Sequence, residues 1–327
     1  MAKRELGAHA LRVVRAVRTA LERLDDAPAG AGAPEVIVGC SGGSDSLALA
    51  LGTAWAAPRL GLRARAVIVD HGLQEGSGEV ARRVGVLLES RGLAAEVRRV
   101  QIVASAGGPE AAAREARLEA LARDGAPVLL GHTMDDQAET VLLGLLRGSG
   151  TRSLAGMASR RGLFLRPLLE LRRTDTVAAC AEWHVEAWRD PHNDEERFAR
   201  VRARSEVAHL SEALGRDLVP ALARTAALAR QDADLLDGLT DDALQGVDLR
   251  APLEVTLIAG WADALRLRAI RRWLGEAGLT EATMTQVLAV DDLVRRWRGQ
   301  GPVALAGAVV VRRGTRLSIA MGGPESG

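Results

Sequence analysis

The stretch that decides the fold is Glu35-Val36-Ile37-Val38-Gly39-Cys40-Ser41-Gly42-Gly43-Ser44-Asp45-Ser46. Its first half is a short apolar run that ends in glycines and indicates a buried strand. Its second half is rich in glycine and serine, and it leads into a segment that predicts a helix from about Asp45 to Ala57. A strand, a glycine-rich loop and a helix in this order predict an anion-binding loop.

This loop offers two kinds of donor to a phosphate. Gly42 and Gly43 let the backbone approach closely, so that amide hydrogens and the positive end of the helix stabilise negative charge. Serine hydroxyls can add donors, whereas Asp45 would act through magnesium or amide hydrogens. The predicted phosphate-binding residues are Ser41, Gly42, Gly43, Ser44, Asp45 and Ser46. The alternative is a turn that only caps a helix, since serine and aspartate are ordinary N-cap residues.

The alternation of strand and helix continues to about residue 146. Predicted strands span residues 35–40, 65–70, 96–102 and 127–131, and predicted helices span residues 45–57, 77–90, 109–123 and 135–146. This order predicts an α/β domain on a parallel sheet, in which ligands bind beyond the carboxyl ends of the strands. Asp70 ends the second strand and is a candidate contact for ATP or magnesium, although aspartate at a strand end is often a turn residue.

The pattern changes after about Arg204. A long helical stretch from Glu206 to Leu244 precedes a predicted strand from Leu253 to Ile258. Two amphipathic helices are predicted at 263–275 and 283–298, and short strands at 303–320 with turns at Gly307 and Gly314. We therefore predict a catalytic domain at residues 1–204 and a mainly helical domain at residues 205–327.

Charge and cysteine content exclude several classes of protein. The 43 basic and 42 acidic residues give a formal net charge of +1, so no overall field indicates a nucleic-acid partner. Cys40 and Cys180 form no C-x-x-C pair, which argues against a disulfide framework and favours a reducing cytoplasm. No apolar run approaches the roughly 20 residues that cross a bilayer, so we expect no membrane span.

The glycine-rich loop resembles the S-G-G-x-D-S signature of ATP pyrophosphatases, which cleave ATP between its first and second phosphates. The Walker sequence G-x-x-x-x-G-K-[ST] is absent. Further segments resemble the tRNA(Ile)-lysidine synthetase family of this PP-loop superfamily in order and spacing, over about residues 36–204. These segments are Val69–Leu73, Glu110–Arg117, Gly131–Thr140, Leu146–Gly150, Leu154–Met157, Arg166–Leu169 and Trp188–Asp194.

The resemblance implies an adenine nucleotide α-hydrolase-like fold and a ligase that acts in two steps. ATP adenylates the ring carbonyl oxygen of the wobble cytidine in the CAU anticodon of tRNA(Ile), and the side-chain amine of L-lysine then displaces AMP to give lysidine. The implied cofactor is ATP with magnesium, and the implied partners are L-lysine and tRNA(Ile). Arg114 and Arg117 are the candidates for holding phosphate charge.

Asp135, Asp136 and Glu139 are the catalytic carboxylates that the resemblance implies, beside Arg114. On a helix that begins near Asp135, spacings of three and four residues place these groups on one face. Lysine must be bound as a cation and then deprotonated, and clustered carboxylates suit that task. The alternative is that the aspartates only favour the helix dipole and that Glu139 is solvated. Zinc is disfavoured because His132 has neither an H-E-x-x-H motif nor a second histidine nearby.

The basic segment departs from the family pattern at Val201, which follows Arg200 where the family usually has asparagine. Arg200, Arg202 and Arg204 remain, and they predict either a strip that holds tRNA phosphate or ATP, or a solvated helix face. Arginines also outnumber nearby acids in the carboxyl-terminal region, which suits an RNA-contacting domain. They are Arg266, Arg268, Arg271, Arg272, Arg295, Arg296, Arg298, Arg312, Arg313 and Arg316.

Two other functions compete with a lysidine synthetase. A tRNA thiolase is the nearest enzymatic alternative, but thiolation commonly relies on paired cysteines, and Cys40 and Cys180 are not obviously a pair. A noncatalytic RNA-binding relative is the second, and the intact segments Ser41–Ser46 and Asp135–Glu139 argue against it. The sequence leaves the oligomeric state open.

Overall fold

A computed structural model describes residues 6–24, 34–72, 76–101, 108–148, 150–188 and 199–322 of the chain. The chain divides into two compact units, of which the first comprises Met1–Leu143 and Met157–Ala223 and the second comprises Gly144–Gly156 and Arg224–Gly327. The first unit extends past the predicted boundary at residue 204 because Val207 and Val219 are buried in one apolar cluster with Ala138.

A six-stranded sheet forms the first unit, in the order β3-β2-β1-β4-β6-β5. Every neighbouring pair is parallel except β5 and β6. The strands are β1 (Glu35–Gly39), β2 (Arg63–Asp70), β3 (Ala94–Arg99), β4 (Val128–Leu130), β5 (Arg160–Arg161) and β6 (Phe164–Leu165). The predicted parallel α/β fold is confirmed, because the chain crosses from strand to strand through helices.

Helices pack on both faces of this sheet, among them α1 (Ala8–Glu22), α2 (Ser44–Ala56), α3 (Ser77–Ser90), α4 (Gly108–Ala122) and α7 (Arg173–Glu182). The first unit also contains α8 (Ala199–Ala213) and most of α5 (Met134–Arg147), whereas the short helix α6 (Thr151–Leu154) belongs to the second unit. Alternate residues of β1 point to opposite faces, so Val36 and Val38 join the apolar cluster that includes Leu47 of α2. Ile37 joins a separate cluster with Leu121 of α4. A strand buried on both faces explains the unbroken apolar run in the sequence.

The second unit joins helices to an antiparallel sheet of four strands in the order β7-β10-β9-β8. Its elements are α9 (Val219–Ala243), whose first turn belongs to the first unit, β7 (Leu253–Glu254), α10 (Val255–Ile258), α11 (Asp263–Glu276), α12 (Met284–Arg295), β8 (Val303–Leu305), β9 (Ala308–Arg313) and β10 (Arg316–Met321). Trp273, Val290 and Val310 lie in its apolar core. The predicted turns at Gly307 and Gly314 are confirmed, and both glycines have positive φ.

Two predictions for the carboxyl-terminal half are wrong in detail. The predicted helix from Glu206 to Leu244 is interrupted between Ala213 and Val219, where Gly215 adopts a φ of 59°. The predicted strand from Leu253 to Ile258 pairs only over its first two residues, and the rest forms helix α10. Apolar runs of this length do not separate a buried strand from a buried helix. Among the helices that the structure describes, none has the length and apolar character to cross a membrane.

Candidate active site

The glycine-rich loop leaves β1 at the carboxyl edge of the sheet and enters α2. The hydroxyl of Ser46 accepts a hydrogen bond from the backbone amide of Ser41 at 3.1 Å and donates to the carbonyl of Gly43 at 3.0 Å. The sulfur of Cys40 lies 3.7 Å from the same hydroxyl oxygen. The hydroxyl of Ser46, expected to donate to phosphate, therefore holds the loop in shape.

The two glycines of the loop have different surroundings. Gly42 adopts a φ of 89°, and a Cβ atom there would lie 2.7 Å from Cγ2 of Val84. Gly43 has a φ of −69°, and its Cβ atom would meet only the hydroxyl of Ser41, at 3.8 Å. Gly42 is thus required by the fold itself. Gly43 borders open space in which a ligand can lie.

The first turn of α2 has amide donors that no described side chain caps. Gly43 occupies the N-cap position, and no side chain caps the helix there. The loop after β4 packs closely on this turn, since a Cβ atom on Gly131 would lie 2.9 Å from the carbonyl oxygen of Asp45. An uncapped helix amino terminus that follows a glycine loop is a binding site for a phosphate-type anion.

Arg173 binds three carboxylates at the start of α7. Its Nε lies 3.2 Å from Oδ2 of Asp45, its Nη2 lies 2.8 Å from Oδ1 of Asp136, and its Nη1 lies 3.6 Å from Oε1 of Glu139. The hydroxyl of Thr176 donates to Asp45 as well. Burial raises the pKa of Asp45 despite the attraction of Arg173. The structure therefore joins the loop carboxylate to two of the three predicted catalytic carboxylates through one guanidinium.

Asp136 is held as an anion by its neighbours. Its Oδ2 accepts hydrogen bonds from the amide of Thr133 at 2.7 Å and from the hydroxyl of Thr133 at 2.9 Å. Burial opposes its ionisation, but Arg173 and the Thr133 amide together hold the pKa of this carboxyl below its ordinary value. With all these partners, Asp136 caps α5 and orients Arg173.

Glu139 is the most buried of the predicted carboxylates, with 2% of its surface exposed. Its Oε1 accepts from Nε of Arg204 at 2.7 Å, whereas its Oε2 is buried and has no hydrogen-bond partner among the described residues. Burial and the charge of Asp136 raise the pKa of Glu139, against the attraction of Arg204. A buried carboxylate oxygen without a partner costs free energy unless a ligand supplies a donor.

Asp135 lies apart from this cluster. Its Oδ2 accepts from the amide of Arg173 at 2.8 Å, and the guanidinium of Arg172 contacts both of its oxygens at 3.2 to 3.4 Å. The carboxylate therefore occupies the amino-terminal end of α7, where a negative charge is stabilised. Its position points to support of the site and not to contact with a substrate.

Basic groups gather along the same edge of the sheet. His71 follows β2, Arg117 lies on α4 and His132 follows β4. Nδ1 of both histidines and Nε of Arg117 are buried without a hydrogen-bond partner among the described residues. Burial lowers the pKa of His132 to about 3, and the positive charges of Arg166 and other nearby arginines act in the same direction. The charge of Asp136 opposes this shift but does not cancel it, so the imidazole of His132 is neutral.

The remaining predicted residues fall around this edge. Burial is the main cause that lowers the pKa of Arg117. The positive charges of Arg114, also on α4, and of Arg200, on α8, lower it further, so both lie near Arg117. Asp70 accepts from the amide of Gly72 at 3.0 Å and from the hydroxyl of Ser77 at 2.7 Å. Those two hydrogen bonds lower the pKa of Asp70. Asp70 thus fixes the turn that follows β2.

Sequence reasoning missed Arg173, Thr133 and Thr176. Thr133-Met134-Asp135-Asp136 fits the S/T-x-x-D/E pattern of a helix start, so the partnership of Thr133 and Asp136 was readable from the sequence. No comparable signal identifies Arg173, because its three partners come from different segments. Most of the segment Trp188–Asp194 lies outside the described residues. Within the described ranges, no group of three or more histidine, cysteine or acidic residues is arranged to hold a metal ion.

Family comparisons agree with this geometry. Residues 14–211 match the PP-loop domain family, and residues 253–318 match the TilS substrate binding domain family. The chain is 51% identical over 315 residues to the tRNA(Ile)-lysidine synthase of Thermobifida fusca (strain YX), covering 93% of this chain and 95% of that protein. It is 50% identical over 297 residues to the tRNA(Ile)-lysidine synthase of Mycolicibacterium paratuberculosis (strain ATCC BAA-968 / K-10), covering 90% of each.

One solved structure supports the fold. The U34-tRNA thiolase NcsA from Methanococcus maripaludis, which carries a [4Fe-4S] cluster, superposes with a TM-score of 0.52. The match covers 68% of this chain and 79% of that chain at 15% sequence identity. Similarity at this level concerns the arrangement of the sheet and its helices, and function has to be argued from the site.

Proposed function

The chain belongs to the tRNA(Ile)-lysidine synthase family, and we propose that its carboxyl sheet edge joins L-lysine to the wobble cytidine of the CAU anticodon of tRNA(Ile). ATP is the energy source in this family of PP-loop enzymes. The observation that carries the proposal is the position of Glu139. One of its carboxylate oxygens is buried without a hydrogen-bond partner among the residues that the structure describes, and Arg173 connects the carboxylate to the phosphate-binding loop. The reaction belongs in the cytoplasm, where tRNA is modified.

The first step forms a bond between the ring carbonyl oxygen of the cytidine and the α-phosphorus of ATP, and pyrophosphate leaves. The loop of Gly42 and Gly43 and the uncapped turn of α2 hold the departing negative charge. Arg114 and Arg117 extend along the same edge and add positive charge near the phosphates. The neutral imidazole of His132 can contact the nucleotide without adding to that charge.

The second step forms a bond between the lysine side-chain nitrogen and the ring carbon of the cytidine, and AMP leaves with the former carbonyl oxygen. Glu139 supplies the acceptor for the lysine ammonium through Oε2 and then takes its proton. Burial favours this transfer because it raises the proton affinity of the carboxylate. Arg204 positions Glu139 directly, and Asp136 acts on it through Arg173. Asp135 supports the helix on which Arg173 lies.

Magnesium enters the proposal only as the companion of ATP. The carboxylates Asp45 and Asp136 already accept hydrogen bonds from Arg173, and the described residues form no separate metal cluster. Magnesium is commonly held by substrate phosphates, water and only one or two carboxylates, so Asp45, the carboxylate of the phosphate-binding loop, would have to exchange its hydrogen bond to Arg173 or Thr176 for the ion. It would neutralise phosphate charge in the first step.

The second unit is proposed to contact tRNA, with fewer arginines than the sequence indicates. Ion pairs within the unit engage several of them, including Arg266 with Asp291 and Arg272 with Asp241. Arg298 is exposed and has no ion pair among the described residues. Arg271 and Arg313 share both properties. These three are the candidates for phosphate contacts, because only an unpaired cation gains by releasing counterions from RNA.

The thiolase alternative fits the site less well. Burial raises the pKa of the Cys40 thiol, and burial with the charge of Asp45 raises the pKa of the Cys180 thiol to about 12. Neither cysteine is therefore a thiolate at neutral pH, as sulfur transfer requires. Lysine ligation is favoured because the carboxylate of Glu139 has a buried oxygen without a hydrogen-bond partner among the described residues, and such an oxygen suits an ammonium group.

The proposal is tested with purified protein, ATP, radiolabelled lysine and an unmodified tRNA(Ile) transcript with a CAU anticodon. We expect lysine incorporation and release of AMP and pyrophosphate in equal amounts. A transcript with a UAU anticodon is the matched control, since it lacks the cytidine. Tight tRNA binding without either product would support a noncatalytic RNA-binding protein. Sulfur incorporation in a parallel reaction that contains sulfide in place of lysine would support a thiolase.

A further inference from the structure

One face of α7 contacts the start of α2 at three successive positions. Arg173 and Thr176 both donate hydrogen bonds to the carboxylate of Asp45. The sulfur of Cys180 lies 3.4 Å from the carbonyl oxygen of Ser44. Spacings of three and four residues place the three side chains of α7 on one side of that helix. Donors on α7 therefore set the orientation of the carboxylate in the phosphate-binding loop.

Each oxygen of the Asp45 carboxylate has its own donor on this face. Nε of Arg173 lies 3.2 Å from Oδ2, and the hydroxyl of Thr176 donates to Oδ1. The Asp45 side chain keeps 20% of its surface exposed, so a ligand can reach it. Magnesium prefers carboxylate oxygens and substrate phosphates, and this carboxylate lies in the loop that would hold the phosphates of ATP. The chemistry of the site therefore fits the ion.

The hydroxyl of Thr176 has two acceptors within reach, although it carries a single proton. Thr176 is fully buried, and its oxygen also lies 2.8 Å from the carbonyl oxygen of Arg173, one turn earlier in the same helix. A threonine within a helix commonly donates to such a carbonyl. A carboxylate is the stronger acceptor, so the proton is directed to Asp45. The hydroxyl thus serves the loop and not its own helix.

The two donors of Asp45 differ in how they respond to a metal ion. Arg173 carries a positive charge that magnesium repels. Its guanidinium also has a hydrogen bond to Asp136 at 2.8 Å and an ion pair with Glu139 at 3.6 Å, which it can keep. Thr176 is neutral, so its hydrogen bond to Asp45 is compatible with a bound cation. The partner that Asp45 exchanges for the ion is therefore Arg173.

We propose that Thr176 is a positioning residue for Asp45, which it holds in the orientation that binds the magnesium of ATP once Arg173 has moved away. The inference rests on the proposed role of magnesium at this loop and adds a residue that acts only through Asp45. A hydrogen bond to a metal-binding carboxylate fixes its direction, and loss of such a partner weakens metal binding by about ten- to a hundredfold.

ATP binding to the full chain, without lysine or tRNA, tests the proposal. Calorimetry gives the dissociation constant of ATP in EDTA and in magnesium, and the ratio of the two constants is the metal dependence of binding. We expect Thr176→Val to lower this ratio by about tenfold or more and to leave binding in EDTA unchanged, because valine keeps the shape and removes the hydroxyl. Thr176→Ser keeps the hydroxyl and should restore the wild-type ratio.

Thr53→Val is the matched control. Thr53 is equally buried and lies on α2, and its hydroxyl donates to the carbonyl of Leu49 in the same helix at 2.8 Å. We expect the wild-type ratio in this variant. Electron paramagnetic resonance of manganese, used in place of magnesium with ATP bound, should show weaker metal binding in Thr176→Val but not in Thr53→Val.

Several results would overturn the proposal. One is a wild type that binds ATP equally well in magnesium and in EDTA, and another is a wild-type ratio in Thr176→Val. Equal loss of ATP affinity in both media would assign Thr176 to the shape of the loop, and an equal effect of Thr53→Val would point to general loss of packing. Absence of lysine ligation together with the expected ratios would contradict the proposed function and leave the role of Thr176 standing.

Discussion

Single side chains at the sheet edge have different roles even where both carry a carboxylate. Glu139 has an oxygen without a hydrogen-bond partner in the part of the chain that the structure describes, and burial raises its pKa, whereas Asp135 is engaged with Arg172 and the start of α7. Neutral amide replacements therefore separate a residue that the substrate uses from one that the fold uses.

Glu139→Gln is expected to stabilise the free protein at neutral pH. Because the folded pKa is raised, the unfolded chain ionises at a lower pH, and the unfolding free energy of the wild type falls as pH rises through the folded pKa. Glu139→Gln lacks this loss, so the difference in unfolding free energy between the variant and the wild type should vanish below the ordinary glutamate pKa. Thermal unfolding from acid to neutral pH measures it.

Asp135→Asn is the matched control on the same helix. It weakens the charge at the start of α7 and the contact with Arg172, so we expect the unfolding free energy to fall by about 1 kcal/mol. Both replacements convert an acid to its amide, and only the environment differs. The same sign of change in both variants would contradict the assigned roles.

The two loop glycines allow a second comparison at the residue scale. Gly43→Val fits the free protein, so we expect normal thermal stability and tRNA binding but loss of ATP use by about a hundredfold or more, because valine blocks the phosphate from the amides. Gly42→Val instead forces a β-branched residue to a φ of 89° against Val84 and should cost at least about 1–2 kcal/mol of stability. Pyrophosphate release and thermal unfolding measure the two effects. Equal losses of stability would show that Gly43 is structural.

At the scale of elements, the start of α5 depends on one capping pair. Thr133→Val removes the hydroxyl that donates a hydrogen bond to Asp136 but keeps the shape of the side chain. We expect a loss of about 1–2 kcal/mol in chemical denaturation. The rate of lysine ligation should fall too, since Asp136 orients Arg173. Thr140→Val, on the same helix, is the control, because its hydroxyl only returns to the carbonyl of Asp136.

A sequence pattern predicts a structural element well where the pattern is compatible with only one kind of local structure. The buried run of β1 and the glycines after it place the loop correctly, because few other structures accommodate both. The strand predicted at Leu253–Ile258 fails because an apolar run of that length suits a helix equally. Arg173 was not predictable, since its importance arises from the meeting of Asp45, Asp136 and Glu139.

At the scale of the whole molecule, the account assigns different steps to different parts of one edge. The loop after β1 serves ATP cleavage, and Glu139 on α5 serves the entry of lysine. The two steps release different products, because pyrophosphate leaves in the first and AMP in the second. Damage to one part should therefore change the ratio of products as well as the overall rate.

The most direct test measures pyrophosphate, AMP and lysine incorporation for Glu139→Gln with tRNA(Ile) that carries a CAU anticodon. We predict that the variant still releases pyrophosphate in an amount that reaches the enzyme concentration, while AMP release and lysine incorporation fall by at least about a hundredfold. Wild-type protein should release all three products together when lysine is present. Lysine incorporation at the wild-type rate in Glu139→Gln, or parallel loss of pyrophosphate release, would contradict the account.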